Sequence, residues 1–383
     1  MRFVVPMLLA ALAVPRGAQA GEETRAALAA QLRSVAQTLA QHADDLPDKH
    51  DAAMQSALQS AWTLLGRWTS GFLDRHPHAS AADLLIDLSH AELSSDLDAG
   101  LRGEDKLSAT AVRLRGGAHA TYVVAPFLAG HGTFFVVARD AADGRFAMRW
   151  SVVPLATAYR HTANAIRRWA ITGSGAEDGP MFGRAAALPP GRSGRPRFMI
   201  TAHTVVRMGC SFYAQLGIWE WNGDAAVPLL VDDYASACDT PPVHHAGNII
   251  TVPTVEILQV INTCGVCTYP SGVWRVQLTP DGVINRGHTL DEPEIGVVDR
   301  FLAAVRDGGD VRALASPAIV DAARRMFGGA DAHCLGMTDA YAIERHGGSA
   351  RVKLMMDSCC GTEADLTLQQ HGAQTVITDF TCH

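Results

Sequence analysis

The chain has 383 residues, of which 48% are hydrophobic, 19% charged and 7% aromatic, and its formal net charge is −7. This length is enough for two or three domains with cores of their own, and the composition excludes a disordered chain or a coiled coil. The acidic balance, without a dense run of Lys and Arg, argues against nucleic acid or an anionic membrane as the main partner.

The first twenty residues have the pattern of a secretory signal peptide. A basic start at Arg2 precedes an apolar stretch over residues 3–14, and Ala18-Gln19-Ala20 forms an A-x-A cleavage site. We therefore expect cleavage between Ala20 and Gly21 and a periplasmic or secreted mature protein. The apolar stretch is too short for a membrane span and no later run reaches eighteen apolar residues, so we expect a protein that is not embedded in a membrane.

Residues 21–108 are predicted to be mainly helical. Apolar residues recur at three- and four-residue steps from Ala27 to Leu39 and again from Met54 to Trp68, with Pro47 between the two runs as a helix breaker. Stripes of this kind are typical of core packing. We expect two antiparallel helices that lean on the rest of the protein.

From residue 109 to residue 295 the apolar period becomes 2, which predicts three sets of antiparallel strands in one β domain. Asn222-Gly223 between two apolar runs is a strong hairpin signal. The sets echo one another, because Gly217–Trp221 aligns with Gly272–Val276 and Gly132–Phe135 is a weaker third copy. The echo favours propeller-like blades, and a twisted β-sandwich fits equally well.

Residues 173–197 hold six glycines, four prolines and four arginines and are predicted to be a long loop between the first two sets. Arg192 and Arg195, with Arg184 and Arg197, are candidates for collecting an anionic ligand. The alternative is a solvated loop with no binding role.

Residues 296–383 predict a small α+β domain. Two helical stretches, at 296–309 and 317–327, come before strands at 341–344, 351–356, 364–369 and 374–380. This order of elements resembles the cone-shaped NTF2-like folds. The resemblance is one of fold alone and assigns no role to any residue.

Eight cysteines follow the signal peptide in two groups of four. They are Cys210, Cys238, Cys264, Cys267, Cys334, Cys359, Cys360 and Cys382. An even number in an oxidising compartment predicts disulfides, and four cysteines allow three pairings. Cys264 and Cys267 are close enough for a short bridge, which would leave Cys210 to Cys238. The adjacent Cys359 and Cys360 would each pair outward.

The motif Cys264-Gly265-Val266-Cys267 has two further interpretations. A redox-active pair would lie at a helix N-terminus, but this motif interrupts a β pattern, which favours a structural disulfide. A zinc site with Cys238, His244 and His245 is disfavoured in an oxidising compartment. No G-x-S-x-G turn, H-E-x-x-H or phosphate-binding loop is present, and no spacing pairs Glu220 with a second acid. We predict no catalytic residue, no cofactor and no metal.

The best binding hint is aromatic. Trp219 and Trp221 share one face of a strand and, with Trp274, would form a flat platform for sugars or peptides if that face were exposed. Core packing explains the same spacing. The sequence thus favours an exported, non-catalytic binding or interaction protein whose partner is an unidentified small molecule, glycan or protein. The alternative is an exported enzyme, either a thiol oxidoreductase using Cys264 and Cys267 or a hydrolase with an unrecognised site.

Overall fold

A computed structural model describes the fold of most of the chain after residue 24. The described residues are 25–41, 52–90, 108–128, 131–152, 180–205, 211–237, 241–255, 261, 271–327, 338–356, 363–372 and 374–383. They form five helices and four antiparallel sheets with no closed barrel among them, which confirms the predicted mixed, β-rich class. None of the helices in these ranges is long and apolar enough to cross a membrane.

The helices and strands are numbered here in chain order. The helices are α1 (Arg25–Gln41), α2 (Ala52–Arg75), α3 (Ala81–His90), α4 (Pro293–Asp307) and α5 (Pro317–Phe327). The strands of the first two sheets are β1 (Ser108–Arg113), β2 (Thr121–Leu128), β3 (His131–Gly132), β4 (Phe134–Arg139), β5 (Phe146–Val152), β6 (Pro180–Leu188), β7 (Arg197–Val205), β8 (Ser211–Trp221) and β9 (Ala226–Ala237). Those of the last two are β10 (His244–Ala246), β11 (Ile249–Val255), β12 (Ser271–Thr279), β13 (Gly282–Leu290), β14 (Thr338–His346), β15 (Ser349–Met356), β16 (Glu363–His371) and β17 (Gln374–Cys382).

The chain falls into two compact units. The first consists of the described residues up to Tyr234, with His245–Ile249 and Gln277–Ile284. The second consists of those in Ala235–His244, Ile250–Val276 and Asn285–His383. The predicted division at residues 108 and 295 stays a prediction.

The first sheet, of order β1-β2-β4-β5 with β3 beside β2, is buried on both faces. On β2, Tyr122 and Val124 belong to the core under α1, α2 and α3, whereas Val123 and Ala125 belong to a second core shared with the sheet β6-β7-β8-β9. This alternation follows from the period of 2 in a strand, and burial on both faces explains why the strand is apolar throughout. The Tyr122 hydroxyl donates to the Ala79 carbonyl at 2.5 Å and so ties the sheet to the turn before α3.

The echo seen in the sequence has a structural counterpart. Phe134, Trp219 and Trp274 lie on β4, β8 and β12, each the third strand in the order of its sheet. Their exposed fractions are 2%, 2% and 0%. Each of these three sheets therefore places one large aromatic side chain at an equivalent, buried position.

One local prediction was wrong. Pro180–Leu188, predicted as loop, is the strand β6, which pairs with β7 so that Leu188 lies opposite Arg197. Its alanines carry little strand preference, so the pairing comes from the neighbouring strand and not from local propensity. The helix α3 lies within residues 21–108, which were predicted to be mainly helical, although the periodicity indicated no separate helix there. It begins at a capping box, in which Ser80 Oγ accepts from the Asp83 N–H at 3.1 Å.

In the second unit, α4 and α5 pack on the sheet β14-β15-β16-β17. Val298, Phe301 and Leu302 of α4 are fully buried against Val352 and Leu366 of the sheet. The helix ends at Gly308, whose φ of 70° is the left-handed conformation that glycine adopts at little cost. Helices followed by antiparallel strands are the order that the sequence predicted.

Glu294, in the first turn of α4, receives a two-pronged ion pair from β14. Arg345 donates from Nε to Oε1 at 2.9 Å and from Nη2 to Oε2 at 2.8 Å. The hydrogen bonds from Arg345 hold the pKa of Glu294 below its ordinary value of 4.5, against the opposing effect of burial. The N-terminal position in the helix also favours a negative charge.

We expect Glu294→Gln to lower the free energy of unfolding by about 1 kcal/mol at pH 7. Because the folded pKa is depressed, the ion pair stabilises fully above the unfolded pKa, and this contribution is lost as the pH falls through the folded pKa. Urea unfolding of both proteins from pH 7 down to about pH 3 measures this, and the gap should close below about pH 4.5. A gap that stays constant with pH would contradict the ion-pair explanation.

Candidate functional site

The candidate site is a groove in the first unit, formed by the start of α1, the end of α2, the turn at 76–80 and α3. Its volume is about 1140 Å³. The apolar part of its lining consists of Ala26, Ala29, Trp68, Phe72, Pro77, Ala79 and Ile86. The polar part consists of Arg25, Arg75, His76, His78, Asp83 and Asp87. Ile86 is 54% exposed and provides an accessible apolar contact surface beside the groove.

Asp87 organises one side of the groove. Its Oδ2 accepts from Trp68 Nε1 at 2.9 Å and its Oδ1 accepts from Arg25 Nη2 at 2.6 Å. The guanidinium carbon of Arg25 lies 4.5 Å from the centre of the Trp68 ring, so a cation–π contact closes the triangle. The carboxylate, at 11% exposure, therefore fixes both an aromatic ring and a cation without any ligand.

Asp83 is held at the start of α3. Its Oδ2 accepts from both the N–H and the hydroxyl of Ser80 at 2.8 Å. The backbone hydrogen bond from Ser80, followed by the hydroxyl, lowers the pKa of Asp83 below its ordinary value of 3.8, and the charge of His76 acts in the same direction. The carboxylate thus serves the helix cap as an ionised acceptor.

The opposite rim carries Arg75, His76 and His78, all exposed. The centroids of the His76 and Phe72 rings are 4.9 Å apart. The backbone N–H of His76 donates to the Phe72 carbonyl at 2.9 Å and so continues the last turn of α2. No carboxylate in the ranges that the structure describes forms an ion pair with Arg75 or His78. This rim therefore offers hydrogen-bond donors to a ligand.

In the second unit, a histidine contacts a carboxylate at Asp365 and His383. Asp365 on β16 pairs with Arg351, and His383 Nε2 lies 2.8 Å from its Oδ2. Burial raises the pKa of Asp365, but the hydrogen bonds from Arg351 and His383 outweigh burial and keep the pKa below its ordinary value of 3.8. The two partners compensate a buried charge, which is a structural role for all three side chains.

The tryptophans that the sequence offered as a platform lie in the core. Trp219 and Trp221 are 2% and 4% exposed, and the Trp219 ring packs 5.4 Å from Phe134 and 5.7 Å from Trp150. Trp274 is fully buried and donates from Nε1 to Asn285 Oδ1 at 2.8 Å. None of the three rings is exposed as a flat platform: Trp219 and Trp221 face the core shared by the first two sheets, and Trp274 is buried on the separate strand β12.

Three of the four arginines in the predicted anion-binding loop, Arg192, Arg195 and Arg197, have carboxylate partners. Arg192 Nη2 lies 3.1 Å from Asp281 Oδ2, and Arg195 Nη1 lies 3.6 Å from Glu220 Oε1. Arg197, at 2% exposure, donates from Nε to Glu220 Oε2 at 3.0 Å. These pairs compensate the positive charge that the binding hypothesis required to be open, and the ligand-binding assignment of Arg192 and Arg195 gains no support from them.

Seven of the eight cysteines lie outside the described residues, together with the predicted short bridge and the whole C-x-x-C motif. The seven are Cys210, Cys238, Cys264, Cys267, Cys334, Cys359 and Cys360. The backbone of Cys382 belongs to β17. Among the described residues, no three His, Cys, Asp or Glu side chains are grouped so as to hold a metal ion.

No sequence motif marks the groove. Asp87 is 62 residues from Arg25 and 19 residues from Trp68 along the chain, so no motif spacing links these three side chains. The one available signal was Ser80-Ala81-Ala82-Asp83, a capping pattern that marks the start of α3. No family model, no curated protein and no solved structure matches this chain.

Proposed function

We propose that the protein is a non-catalytic binding protein and that its ligand is a small molecule with an apolar part that contacts the groove between α1, α2 and α3. Ligand sites are typically concave and mostly apolar, with a few fixed polar groups that orient the ligand. The groove has this combination. Its volume exceeds the range of about 300–1,000 Å³ common for drug-sized ligands, which leaves room for an elongated one.

The observation that carries the proposal is the triangle of Arg25, Trp68 and Asp87. All three side chains are already held by hydrogen bonds and the cation–π contact, so a ligand that packs beside them orders few rotatable bonds. Exposed Ile86 on α3 adds an apolar surface that no core requirement explains. Preorganisation next to an uncovered apolar side chain favours binding over a purely structural role.

The cellular setting belongs to the same proposal. The signal-peptide pattern of residues 1–20 and the even number of cysteines support an exported protein whose β domain and C-terminal domain are stapled by disulfides. An NTF2-like order for residues 296–383 is part of this proposal. Disulfides would stabilise the framework and leave the helical groove to bind.

A neutral fluorescent probe tests the groove directly. We expect N-phenyl-1-naphthylamine to bind the full chain with a rise in fluorescence, and Ile86→Glu to weaken that binding about tenfold, because the substitution removes an apolar contact and introduces a charge that must be desolvated. Since Ile86 is exposed, the variant should fold normally. Fluorescence titration gives both dissociation constants.

Met355→Glu is the matched control, because Met355 is 53% exposed, lies on β15 of the second unit and does not line the groove. It should bind the probe as tightly as the wild type. Equal affinity of the wild type and Ile86→Glu would place binding elsewhere, and absence of any probe binding would remove the proposal.

A further inference from the structure

We infer that the ligand is a single-chain amphiphile with a carboxylate head group, which the donor rim of Arg75, His76 and His78 receives while the chain lies along Ile86 and Phe72. This inference rests on the proposed function and adds the chemical class of the ligand. It follows from which polar groups of the groove are already engaged and which are not.

The acceptors of the groove are largely engaged. Asp87 uses one oxygen for Trp68 and the other for Arg25, and Asp83 uses one oxygen for the two donors of Ser80. The Ala79 carbonyl accepts the hydroxyl of Tyr122. A ligand that brings hydrogen-bond donors or a positive charge therefore competes with contacts that hold the helices together.

Unlike Arg25, the donors Arg75 and His78 form no ion pair within the described part of the chain. Arg75 stands at the last residue of α2, where its planar guanidinium offers five N–H groups in a geometry that matches a carboxylate. His76 and His78 follow within three residues, separated by Pro77, which restricts the backbone of the turn that carries them. A carboxylate placed here meets up to three donor side chains in one short segment.

The charges of the groove also favour a carboxylate head group, although the negative charge of Asp83 opposes it. The other charged residues that line the groove are Asp83 on α3 and the ion pair of Arg25 with Asp87. Arg25 and Asp87 compensate each other, and Asp83 lies at the positive N-terminal end of α3, which offsets part of its field. A carboxylate bound to Arg75 is thus attracted by the guanidinium and meets one negative charge, that of Asp83, whose field the N-terminus of α3 and His76 partly offset.

The chain of the ligand has a path that begins at this rim. Phe72 packs beside His76, and Ile86 is exposed on the neighbouring helix, so an alkyl chain leaving the rim meets apolar groups of α2 and α3. The Arg25–Trp68 stack lies further along the same lining. The rim would therefore bind the head group of the ligand, and the apolar lining would bind its alkyl chain.

Displacement of N-phenyl-1-naphthylamine by three chains of equal length tests the inference. The probes are dodecanoate, dodecyl maltoside and dodecyltrimethylammonium, each below its micelle-forming concentration, at about pH 8 so that dodecanoate is ionised. We expect dodecanoate to bind about tenfold more tightly than the maltoside and the ammonium compound to bind most weakly. Arg75→Gln should lower the affinity for dodecanoate about tenfold, whereas Arg67→Gln, an exposed arginine of α2 outside the groove, should leave it unchanged.

The outcomes separate the two proposals. If the probe and all three chains bind with similar affinity, the groove binds apolar chains but the carboxylate inference is overturned. Tightest binding of the ammonium compound would overturn it as well, since Asp83 would then dominate. If neither the probe nor any chain binds, both proposals fail. Loss of dodecanoate selectivity in Arg75→Gln, with urea unfolding unchanged, supports the inference in full.

Discussion

Replacing Arg197 by methionine is expected to lower the free energy of unfolding of the first unit by about 3–5 kcal/mol, the cost typical of removing one member of a buried ion pair. The side chain of Arg197 is 3% exposed, and that of its partner Glu220 is 15% exposed. Methionine keeps most of the apolar stem but leaves the carboxylate of Glu220 without its close partner.

Two backbone carbonyls lose their donor in the same variant. Arg197 donates from Nη1 to the Thr279 carbonyl at 2.6 Å and from Nη2 to the Pro280 carbonyl at 3.0 Å, so one guanidinium ties β7 and β8 to the tip of the β12–β13 hairpin. The fit is close: a Cβ on Gly191 would lie 2.6 Å from Nη2 of Arg197 and 2.8 Å from Oε2 of Glu220. A buried acceptor that loses its partner bears its full desolvation cost.

Urea unfolding followed by tryptophan fluorescence measures this loss, because five of the six described tryptophans belong to the first unit. Arg195→Met is the matched control. The side chain of Arg195 is 54% exposed and its nearest nitrogen lies 3.6 Å from Glu220, so its loss should cost no more than about 1 kcal/mol. If the two variants are equally stable, Arg197 does not act as a buried clamp.

These arginines illustrate what the sequence could predict and what it could not. Their density marked residues 173–197 as unusual, but the acid that pairs with Arg197 is 23 residues away and the carbonyl of Thr279 is 82 residues away. Local composition carries no information about such partners. Composition therefore predicted an open basic loop. In the structure, this segment contains the strand β6 and arginines that form ion pairs.

The strands were predictable for a different reason. Alternation predicted strands at Gly132–Phe135, Gly217–Trp221 and Gly272–Val276, which overlap β4, β8 and β12, because a period of 2 is a local property of the chain. It also placed Trp219 and Trp221 on one face and Glu220 on the other. Alternation does not say which face another sheet will cover, and the covered face here is the aromatic one.

The groove could not be predicted from local sequence, because it forms only in the tertiary structure. The apolar stripes of α1 and α2 were visible in the sequence, but Arg25 and Asp87 lie outside the apolar stripes of their helices. They meet only because three helices pack on one sheet. Sites assembled from the rims of several elements leave no spacing for a motif search to find.

The second large effect is expected for Phe134→Ala, which should lower the free energy of unfolding by about 3–5 kcal/mol. Phe134 is 2% exposed at the third-strand position of the first sheet. Its ring lies 5.3 Å from Trp150, 6.0 Å from Phe198 and 5.4 Å from Trp219, so it joins the first sheet to the second through aromatic contacts. Alanine leaves a cavity that rigid rings on two sheets cannot close.

Urea unfolding and near-ultraviolet circular dichroism test this together, because the removed ring borders Trp150 and Trp219. Phe134→Leu, which keeps much of the volume, should cost less than Phe134→Ala, and Val227→Ala, at 42% exposure on β9, should stay within about 0.5 kcal/mol of the wild type. A loss that follows the removed volume, with a changed tryptophan signal, means that the two sheets share one packed core. Equal stability of Phe134→Ala and Val227→Ala would mean that the first two sheets do not share one packed core.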